Sequence, residues 1–310
     1  MELTFNNNSA EMFQQILEAA VTEPGIVLEA FSNFHNYSLG NQMLALFQMR
    51  LRGIPVGPIS SYNGWKRNKR QVKRGSKALS LLMPVTRKIK EVDEATGEEK
   101  SRYVTFGKFI ARANWFALSQ TYVPCPGCRG TGGKVGKTPM GDKVCETCKG
   151  SGENPNAPEY ERGEVPNFDF DLALKTLKLV EVPFEITDGN TMGYAQHNKI
   201  AVNPLDEHKA ATRFHEMAHI LLGHTADGAK VVEEVTRKKS LKEAEAEAVA
   251  LLCMSALGIP GVENARGYIQ GWLRGAEIPA DSAQKIMVVA DRILKAGTLG
   301  EFKGQERETE

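Results

Sequence analysis

Five consecutive residues, His215-Glu216-Met217-Ala218-His219, form an HExxH run with the spacing of a metal-binding helix. Residues i and i+4 lie on one face of a helix, so the two imidazoles can bind a single metal ion. Zinc held by three protein ligands activates a water molecule for attack on a carbonyl, and Glu216 is placed to accept the proton. Gly223 follows as a helix stop. The run therefore predicts a catalytic-type zinc centre.

The third ligand of this centre is expected to come from a second helix. A third histidine in the spacing HExxHxxGxxH would require Gly at position 222 and His at position 225, where the chain has Leu222 and Thr225. Residues 242–253, some 25 positions after His219, are rich in Ala and Glu and have strong helix propensity. This second helix therefore supplies the candidates.

Glu245 is the predicted third ligand. At about 100° per residue, it lies in line with an apolar stripe, whereas Glu243 and Glu247 lie among surface neighbours. The stripe consists of Ala248, Val249, Leu252 and Ala256. A carboxylate in an apolar stripe is costly unless it is paired or bound to metal. Glu247 is the alternative ligand if the register is shifted.

Four of the five cysteines form two CxxC pairs, and each pair continues into a Gly-x-Gly element. Four thiolates on two tight turns suit a tetrahedral structural zinc ion, and the glycines let backbone amides turn toward the sulfurs. The predicted ligands are Cys125, Cys128, Cys145 and Cys148. Cys253 is expected to be a small buried core residue. The sequence thus predicts two zinc sites.

The net charge of +1 conceals an uneven distribution. Residues 30–90 contain no Asp or Glu but twelve Lys and Arg. Aromatic residues between cations are typical of surfaces that bind single-stranded nucleic acid, because the cations contact phosphates and the rings stack on bases. The alternatives are a solvated basic face and, for the tryptophan, a core position. The predicted contacts are Trp65, Lys66, Arg67, Lys69, Arg70, Lys73, Arg74 and Lys77.

Membrane insertion and export are not expected. No apolar run approaches the roughly 20 residues that span a bilayer. The first thirty residues lack the basic start, apolar centre and cleavage signal of an export peptide. We expect a cytoplasmic protein without a membrane partner, in which thiols stay reduced and bind metal rather than form disulfides.

The remaining pattern predicts an α+β fold. Helices are expected at 9–21 and 27–51, strands at 78–85 and 102–118, and a Pro-rich linker at 153–166. A strand-like segment, 192–203, precedes the HExxH helix. The predicted order is an α+β DNA-binding domain at 1–122, a small zinc ribbon at 123–152, the linker, a mainly helical domain at 167–300, and a disordered tail at 301–310.

Residues 30–122 resemble the N-terminal domain of ArdC-type antirestriction proteins. The matching elements are the Asn36–Asn41 run, Trp65 followed by the Val72–Lys77 run, and the Trp115–Thr121 run. The resemblance implies single-stranded DNA binding, a zinc-binding C-terminal domain and a mobile-element protein with a role in antirestriction or DNA protection.

Two further resemblances concern the zinc sites. Residues 165–295 resemble gluzincin-type metallopeptidase domains of the ImmA/IrrE class, in which the segment before the active-site helix is an edge strand that binds an extended peptide. The cysteine repeats resemble one zinc centre of the DnaJ cysteine-rich domain, which has four such repeats where this chain has two. Neither resemblance names a protein substrate.

Three hypotheses follow. The first is a single-stranded DNA-binding protein with a zinc metallopeptidase-like centre that protects or processes invading DNA. The second is a regulatory metalloprotease that cleaves a DNA-bound repressor. The third is a DNA-binding protein whose HExxH zinc is purely structural. The intact Glu216 favours a working site.

Overall fold

The computed structural model describes residues 9–92, 99–132, 144–161, 164–165, 167–185, 191–225, 232–263, 266–267, 269 and 278–299. The chain forms two compact units, one of Met1–Met43 with Val165–Glu310, and one of Leu44–Glu164. We call them the split unit and the central unit. The tail predicted at 301–310 lies outside the described residues. Within the described ranges, no helix is long and apolar enough to cross a membrane.

Helices and strands both occur in these ranges, which confirms the α+β class. The helices are α1 (Ser9–Thr22), α2 (Ile26–Phe34), α3 (Leu39–Leu51), α4 (Tyr62–Arg67), α5 (Phe170–Leu177), α6 (Lys209–Leu221), α7 (Val232–Leu257) and α8 (Ala280–Leu299). The strands are β1 (Ile59–Ser61), β2 (Gln71–Val72), β3 (Leu79–Val92), β4 (Glu99–Ala117), β5 (Thr121–Tyr122), β6 (Val180–Glu181), β7 (Gly193–Gln196) and β8 (Lys199–Val202).

The split unit is built around helix packing. Helix α1 packs against α8, α2 against α7, and α6 against α7. The single helix predicted at 27–51 is two helices, because the chain turns at residues 35–38 before α3 begins. The carboxylate of Asp291 accepts the N–H of Leu39 at 2.9 Å and is itself paired with Lys295 at 2.9 Å. This buried acid therefore caps the first turn of α3.

The split unit also contains a small sheet in the order β6-β8-β7. Strand β7 pairs with β8 antiparallel through the turn at His197–Asn198, and β6 pairs with β8 in parallel. Both β7 and β8 pack against α6. Within the described residues β7 lies at the edge of this sheet, so the outer side of its backbone faces no further strand.

The central unit contains a long β-ribbon and a separate short pair of strands. Strands β3 and β4 pair antiparallel over nearly their whole length, and β1 extends this sheet to the order β1-β4-β3. Strands β2 and β5 form the second pair, with Gln71 opposite Tyr122 and Val72 opposite Thr121. The first CxxC pair, Cys125 and Cys128, follows shortly after β5.

The two compact units begin and end at different residues from the domains predicted from the sequence. Helices α1 and α2 lie in the split unit with the C-terminal helices, whereas residues 44–122 belong to the central unit. For example, the guanidinium of Arg266 donates to the carbonyls of Ala20 and Val21 at the end of α1. Periodicity shows that a helix has an apolar face, but the partner of that face depends on the tertiary fold. The functional boundary at residue 122 stays a prediction.

Candidate functional site

Helix α6 carries the HExxH run and is fixed at its start. The carboxylate of Asp206 accepts the N–H of His208 at 2.8 Å and the hydroxyl of Thr212 at 2.6 Å. Arg213 forms a two-point ion pair with Glu181 of β6, at 2.9 and 3.0 Å. These contacts set the start of α6 and tie it to the sheet, which leaves the histidine face little freedom to rotate.

An aromatic cluster anchors the opposite side of α6. The ring of Phe214 is fully buried and lies 5.4 Å from the ring of Phe168 and 4.9 Å from that of Phe170. The ring of Phe168 in turn packs on Gly297 of α8, where any Cβ would collide with it. Because Phe214 is held inward, the next residue, His215, turns toward α7.

Three side chains converge between α6 and α7. Nε2 of His215 and Nε2 of His219 lie 3.0 Å apart, and a carboxylate oxygen of Glu243 lies 3.4 and 3.5 Å from them. Four ligands around a zinc ion at about 2.1 Å are spaced by about 3.4 Å in a tetrahedron. These three atoms therefore fit three corners of a metal site. We call His215, His219 and Glu243 the histidine cluster.

The distal nitrogens of both histidines are occupied. Nδ1 of His215 lies 2.9 Å from the carboxylate of Glu247, and Nδ1 of His219 lies 3.0 Å from Nδ1 of His224. The carboxylate accepts a hydrogen bond from Nδ1–H, so a neutral His215 has its lone pair on Nε2. Two lone pairs and a carboxylate oxygen this close repel one another unless a cation lies between them. The donor set thus fits a metal ion.

The pKa values of the groups in the cluster also favour a bound cation. Burial lowers the pKa of His215, but hydrogen bonds to Glu243 and Glu247 outweigh it and raise the pKa to about 9. The same two imidazoles hold the pKa of Glu243 well below its usual range. The site thus stabilises positive charge, whether it is carried by a proton or by a metal ion. Burial raises the pKa of Glu216.

Glu245 does not lie in the histidine cluster, which corrects its prediction as third ligand. The residue is 7% exposed, so the apolar stripe correctly predicts that it lies inside. However, its carboxylate binds Nε2 of His224 at 2.9 Å. Hydrogen bonds from His224 and Ser282 outweigh burial and lower its pKa. The alternative, Glu247, contacts Nδ1 of His215 rather than Nε2, so it orients a ligand.

Sequence reasoning missed two residues of this region, Glu243 and His224. The sequence pattern suggests one apolar face on α7, but residues 244–246 and 248–254 are all buried, so the helix is surrounded on nearly every side. The signal for Glu243 is its i, i+4 spacing to Glu247, which places two carboxylates on one face. The signal for His224 is its position directly after the helix stop at Gly223.

Strand β7 lies close to Glu216. A Cβ on Gly193 would lie 3.1 Å from Cγ of Glu216 and 2.5 Å from a methyl carbon of Thr212, so only glycine permits this approach. An extended peptide that paired with the outer side of β7 would run past Glu216. The segment 192–203, predicted as one strand, is two strands, and of these only β7 lies at the edge of the sheet within the described residues.

The four cysteines form a second cluster in the central unit. The sulfurs of Cys125 and Cys145 lie 4.0 Å apart, and those of Cys128 and Cys148 lie 3.7 Å apart. Four sulfurs around a zinc ion at about 2.3 Å are spaced by about 3.8 Å in a tetrahedron. Burial raises the pKa of Cys128, but the amide of Gly132 and the neighbouring sulfurs outweigh it and lower the pKa to about 6. This cysteine cluster fits a tetrahedral metal ion.

The two cysteine repeats are built alike. The amide of Gly132 donates to the sulfur of Cys128 at 3.2 Å, and that of Gly152 donates to the sulfur of Cys148 at 3.3 Å. A Cβ on Gly132 would lie 2.4 Å from a carbonyl oxygen of the other repeat, and one on Gly152 would lie 2.5 Å from such an oxygen. The glycines after each CxxC pair are therefore required by close packing between the repeats.

Trp65 is a core residue, which corrects its prediction as a stacking platform. Its side chain is fully buried, and its Nε1–H donates to the carbonyl of Phe116 at 2.8 Å. The ring packs edge-on against Tyr160 at 5.5 Å. Helix α4 is too short for the sequence pattern to distinguish a buried face from an exposed face. A buried ring offers no face to a base.

The predicted basic contacts differ in their surroundings. Arg70 is half-buried, and its Nε donates to the hydroxyl of Thr121 at 2.8 Å, so this cation is tied into the fold. Burial lowers its pKa. The other six are exposed: Lys66, Arg67, Lys69, Lys73, Arg74 and Lys77. We call residues 66–77 the basic segment.

Tyr62 is an exposed aromatic residue beside the basic segment. Its side chain is 50% exposed, and its ring lies edge-on to Phe116 at 6.4 Å. It begins α4, whose N-terminus is capped by the hydroxyl of Ser61, which accepts the N–H of Gly64 at 3.0 Å. Lys66 and Arg67 follow on the same helix. A ring that stacks on a base must be exposed. Tyr62 meets this requirement, whereas Trp65 does not.

Replacement of Trp65 by alanine is expected to destabilise the central unit by about 3–5 kcal/mol, because removal of a large buried ring leaves a cavity. Loss of the hydrogen bond to Phe116 adds to this. Replacement of Tyr62 by alanine, at a half-exposed site, is expected to change stability by less than about 0.5 kcal/mol. Urea unfolding followed by tryptophan fluorescence or circular dichroism measures both. Equal stability losses for the two variants would contradict these assignments.

Comparison with known proteins gives a match in the N-terminal part. Residues 11–111 match the family described as the N-terminal domain of anti-restriction factor ArdC. This confirms the predicted resemblance there, and the match crosses the boundary between the two compact units. No curated protein matches the chain.

Two solved structures are similar along the chain. The metal-free antirestriction ArdC protein from the R388 plasmid is 17% identical, with a TM-score of 0.43, over 92% of this chain and 97% of that one. The Mn(II)-bound structure of the ArdC protein from R388 is 14% identical, with a TM-score of 0.44, over 93% of this chain and 97% of that one.

Proposed function

We propose that this chain is a single-stranded DNA-binding antirestriction protein with a zinc-dependent peptidase centre. The observation that carries the DNA-binding part is the exposed basic segment beside Tyr62, within the residues that match the ArdC N-terminal domain. Six exposed cations offer sequence-independent contacts to phosphates, and the ring of Tyr62 offers a stacking surface for a base.

One zinc ion is assigned to each cluster. The cysteine cluster supplies four sulfurs and no open position, as in structural zinc sites. The histidine cluster supplies three ligands and leaves a position open, as in catalytic zinc sites. Zinc suits both donor sets, because it accepts thiolate, imidazole and carboxylate ligands without a preferred geometry beyond the tetrahedron.

Peptide hydrolysis is the activity that the histidine cluster favours. A zinc ion there would act as a Lewis acid on water and on the scissile carbonyl. Glu216 lies beside the ligands, is buried, and accepts the proton of the attacking water before passing it to the leaving amine. Strand β7 binds the substrate backbone in an extended conformation, close to Glu216. The proposed substrate class is therefore an unfolded or locally extended polypeptide.

Single-stranded DNA is expected to bind with a strong salt dependence. Removal of one cation that neutralises a phosphate should flatten the slope of log K against log salt by about 0.7 on single strands. The triple variant Lys66→Ala/Lys73→Ala/Lys77→Ala should therefore flatten it by about 2. Tyr62→Ala should cost about 1–3 kcal/mol of affinity without changing the slope, since stacking releases no counterions. Fluorescence anisotropy with a labelled oligonucleotide at several salt concentrations measures both.

The matched control removes the same charge from the split unit. Lys175, Lys199 and Lys209 are exposed, and their triple alanine variant should bind DNA with the wild-type slope. If both triple variants weakened binding equally, net charge rather than the basic segment would account for it. If Tyr62→Ala bound like the wild type, the stacking role of Tyr62 would be wrong.

A further inference from the structure

A buried pair, His224 and Glu245, lies directly behind one ligand of the histidine cluster. Nδ1 of His224 lies 3.0 Å from Nδ1 of His219, and Nε2 of His224 lies 2.9 Å from the carboxylate of Glu245. The side chains of His224 and Glu245 are only 7% and 10% exposed. We call these two residues the relay pair.

The end of α6 brings His224 to this position. Gly223 has a positive φ of 79°, a conformation that favours glycine, and the chain reverses there. The N–H of His224 then donates to the carbonyl of His219 at 2.8 Å. One reversal thus returns the next residue to the last turn of the helix. The imidazole of His224 packs edge-on against that of His219, with ring centroids 5.2 Å apart.

Helices α7 and α8 and the chain after α6 complete the surroundings of the pair. The side chain of Ser282, at the start of α8, also hydrogen-bonds to Glu245. Lys242 donates to the backbone carbonyl of His224 at 3.2 Å. The carboxylate of Glu245 therefore has two side-chain partners and is held in place.

The protons in this chain of contacts can be counted. The carboxylate of Glu245 only accepts, so Nε2 of His224 carries the hydrogen that it donates. A neutral His224 then has a lone pair on Nδ1, and it accepts the Nδ1–H of His219. That tautomer of His219 leaves the lone pair of Nε2 directed toward His215 and Glu243, where the ligands converge.

We infer that His224 and Glu245 are positioning residues of the metal centre, which hold His219 in the tautomer that binds metal. This rests on the proposed metal binding by His215, His219 and Glu243. The carboxylate of Glu247 does the same for His215 directly. The relay pair differs because an imidazole is inserted between ligand and carboxylate, so the negative charge is moved one ring away from the ion. Groups of this kind change metal affinity by about 10- to 100-fold.

Zinc affinity and the tautomer of His219 test this positioning role. His224→Phe keeps a ring of similar size but removes both nitrogens, and it should weaken binding at the histidine cluster by about 10- to 100-fold. His224→Gln can accept from His219 and donate to Glu245, so it should recover most of the affinity. Competition with a chromophoric chelator gives the affinities, with the zinc of the cysteine cluster as internal reference. Nitrogen-15 chemical shifts of His219 in the zinc-bound protein report the protonated nitrogen.

Two further variants keep the test decisive. His224→Phe alone leaves the buried charge of Glu245 with only the hydroxyl of Ser282 as a side-chain partner, so the double variant His224→Phe/Glu245→Leu is made as well, which removes this charge. It should be folded and should still bind zinc weakly at the histidine cluster. His197→Asn is the matched histidine control. It changes an exposed imidazole at a positive φ of 54°, which Asn tolerates, and should bind zinc like the wild type.

The outcomes separate the positioning role from the proposed function. If the wild type binds a single zinc ion and His215→Ala does not change this, the metal centre itself is wrong and the relay with it. If the wild type binds two, but the double variant has wild-type affinity and an unchanged His219 spectrum, the metal centre stands and the relay is overturned. Weaker binding in both Phe variants with recovery in His224→Gln establishes the positioning role.

Discussion

Replacement of Glu216 by glutamine is expected to abolish peptide hydrolysis while both zinc ions stay bound. Glutamine has the shape of glutamate but cannot accept the proton of the attacking water, and loss of a general base typically costs about 10²–10⁴-fold in rate. Glu216 is 8% exposed and is not one of the three converging ligands, so metal binding should be unaffected. Cleavage of an unfolded protein such as casein, with zinc content measured in parallel, gives both quantities.

The control for this prediction is Glu207→Gln, which removes an exposed carboxylate just before α6. Its rate and zinc content should match those of the wild type. DNA affinity should be the same in all three proteins, because neither carboxylate belongs to the basic segment. Full proteolysis by Glu216→Gln would refute its role as proton acceptor. A Glu216→Gln protein without zinc at the histidine cluster would show instead that Glu216 is a ligand.

Replacement of Cys148 by serine is expected to remove one zinc ion and to unfold the cysteine-rich segment. Structural zinc in small cysteine sites contributes about 10–16 kcal/mol of binding free energy to folding at neutral pH. In residues 121–132 and 144–154, which the structure describes, the buried cluster consists of the cysteines themselves, so loss of the zinc ion removes the main stabilising contribution there. The sulfur of Cys148 also accepts a hydrogen bond from the amide of Gly152, and this glycine packs the second repeat against the first. Elemental analysis and amide hydrogen exchange over residues 121–132 and 144–154 measure the two effects.

Cys253→Ala provides the matched removal of a cysteine. This thiol is fully buried in α7, and its pKa is raised by burial, so it is an inert core residue as expected from the sequence. The variant should keep both zinc ions and normal exchange in the cysteine-rich segment. A Cys148→Ser protein with unchanged zinc content would rule out a metal site at the four cysteines.

Local spacing was sufficient to predict the donor residues that share one short element. His215 and His219 are one helical turn apart, so the geometry of any helix brings their imidazoles together. Each CxxC pair is likewise contained in one turn, and the two glycines after it follow from the need for amides near the sulfurs. Gly223 was recognisable as a helix stop for the same reason. In all these cases the relevant distances span only a few bonds of backbone.

Tertiary structure decided everything that depends on how two elements meet. Whether Glu243, Glu245 or Glu247 approaches the histidines depends on the height at which α7 crosses α6, and a shift of two residues moves a carboxylate by more than half a turn. Trp65 and Tyr62 are three residues apart in similar surroundings of sequence, yet one is buried and the other exposed. Helices α1 and α2 pack mainly against C-terminal helices that are distant from them along the chain. Apolar patterns specify that a face is buried, but the identity of its partner is settled only when segments distant in sequence pack together.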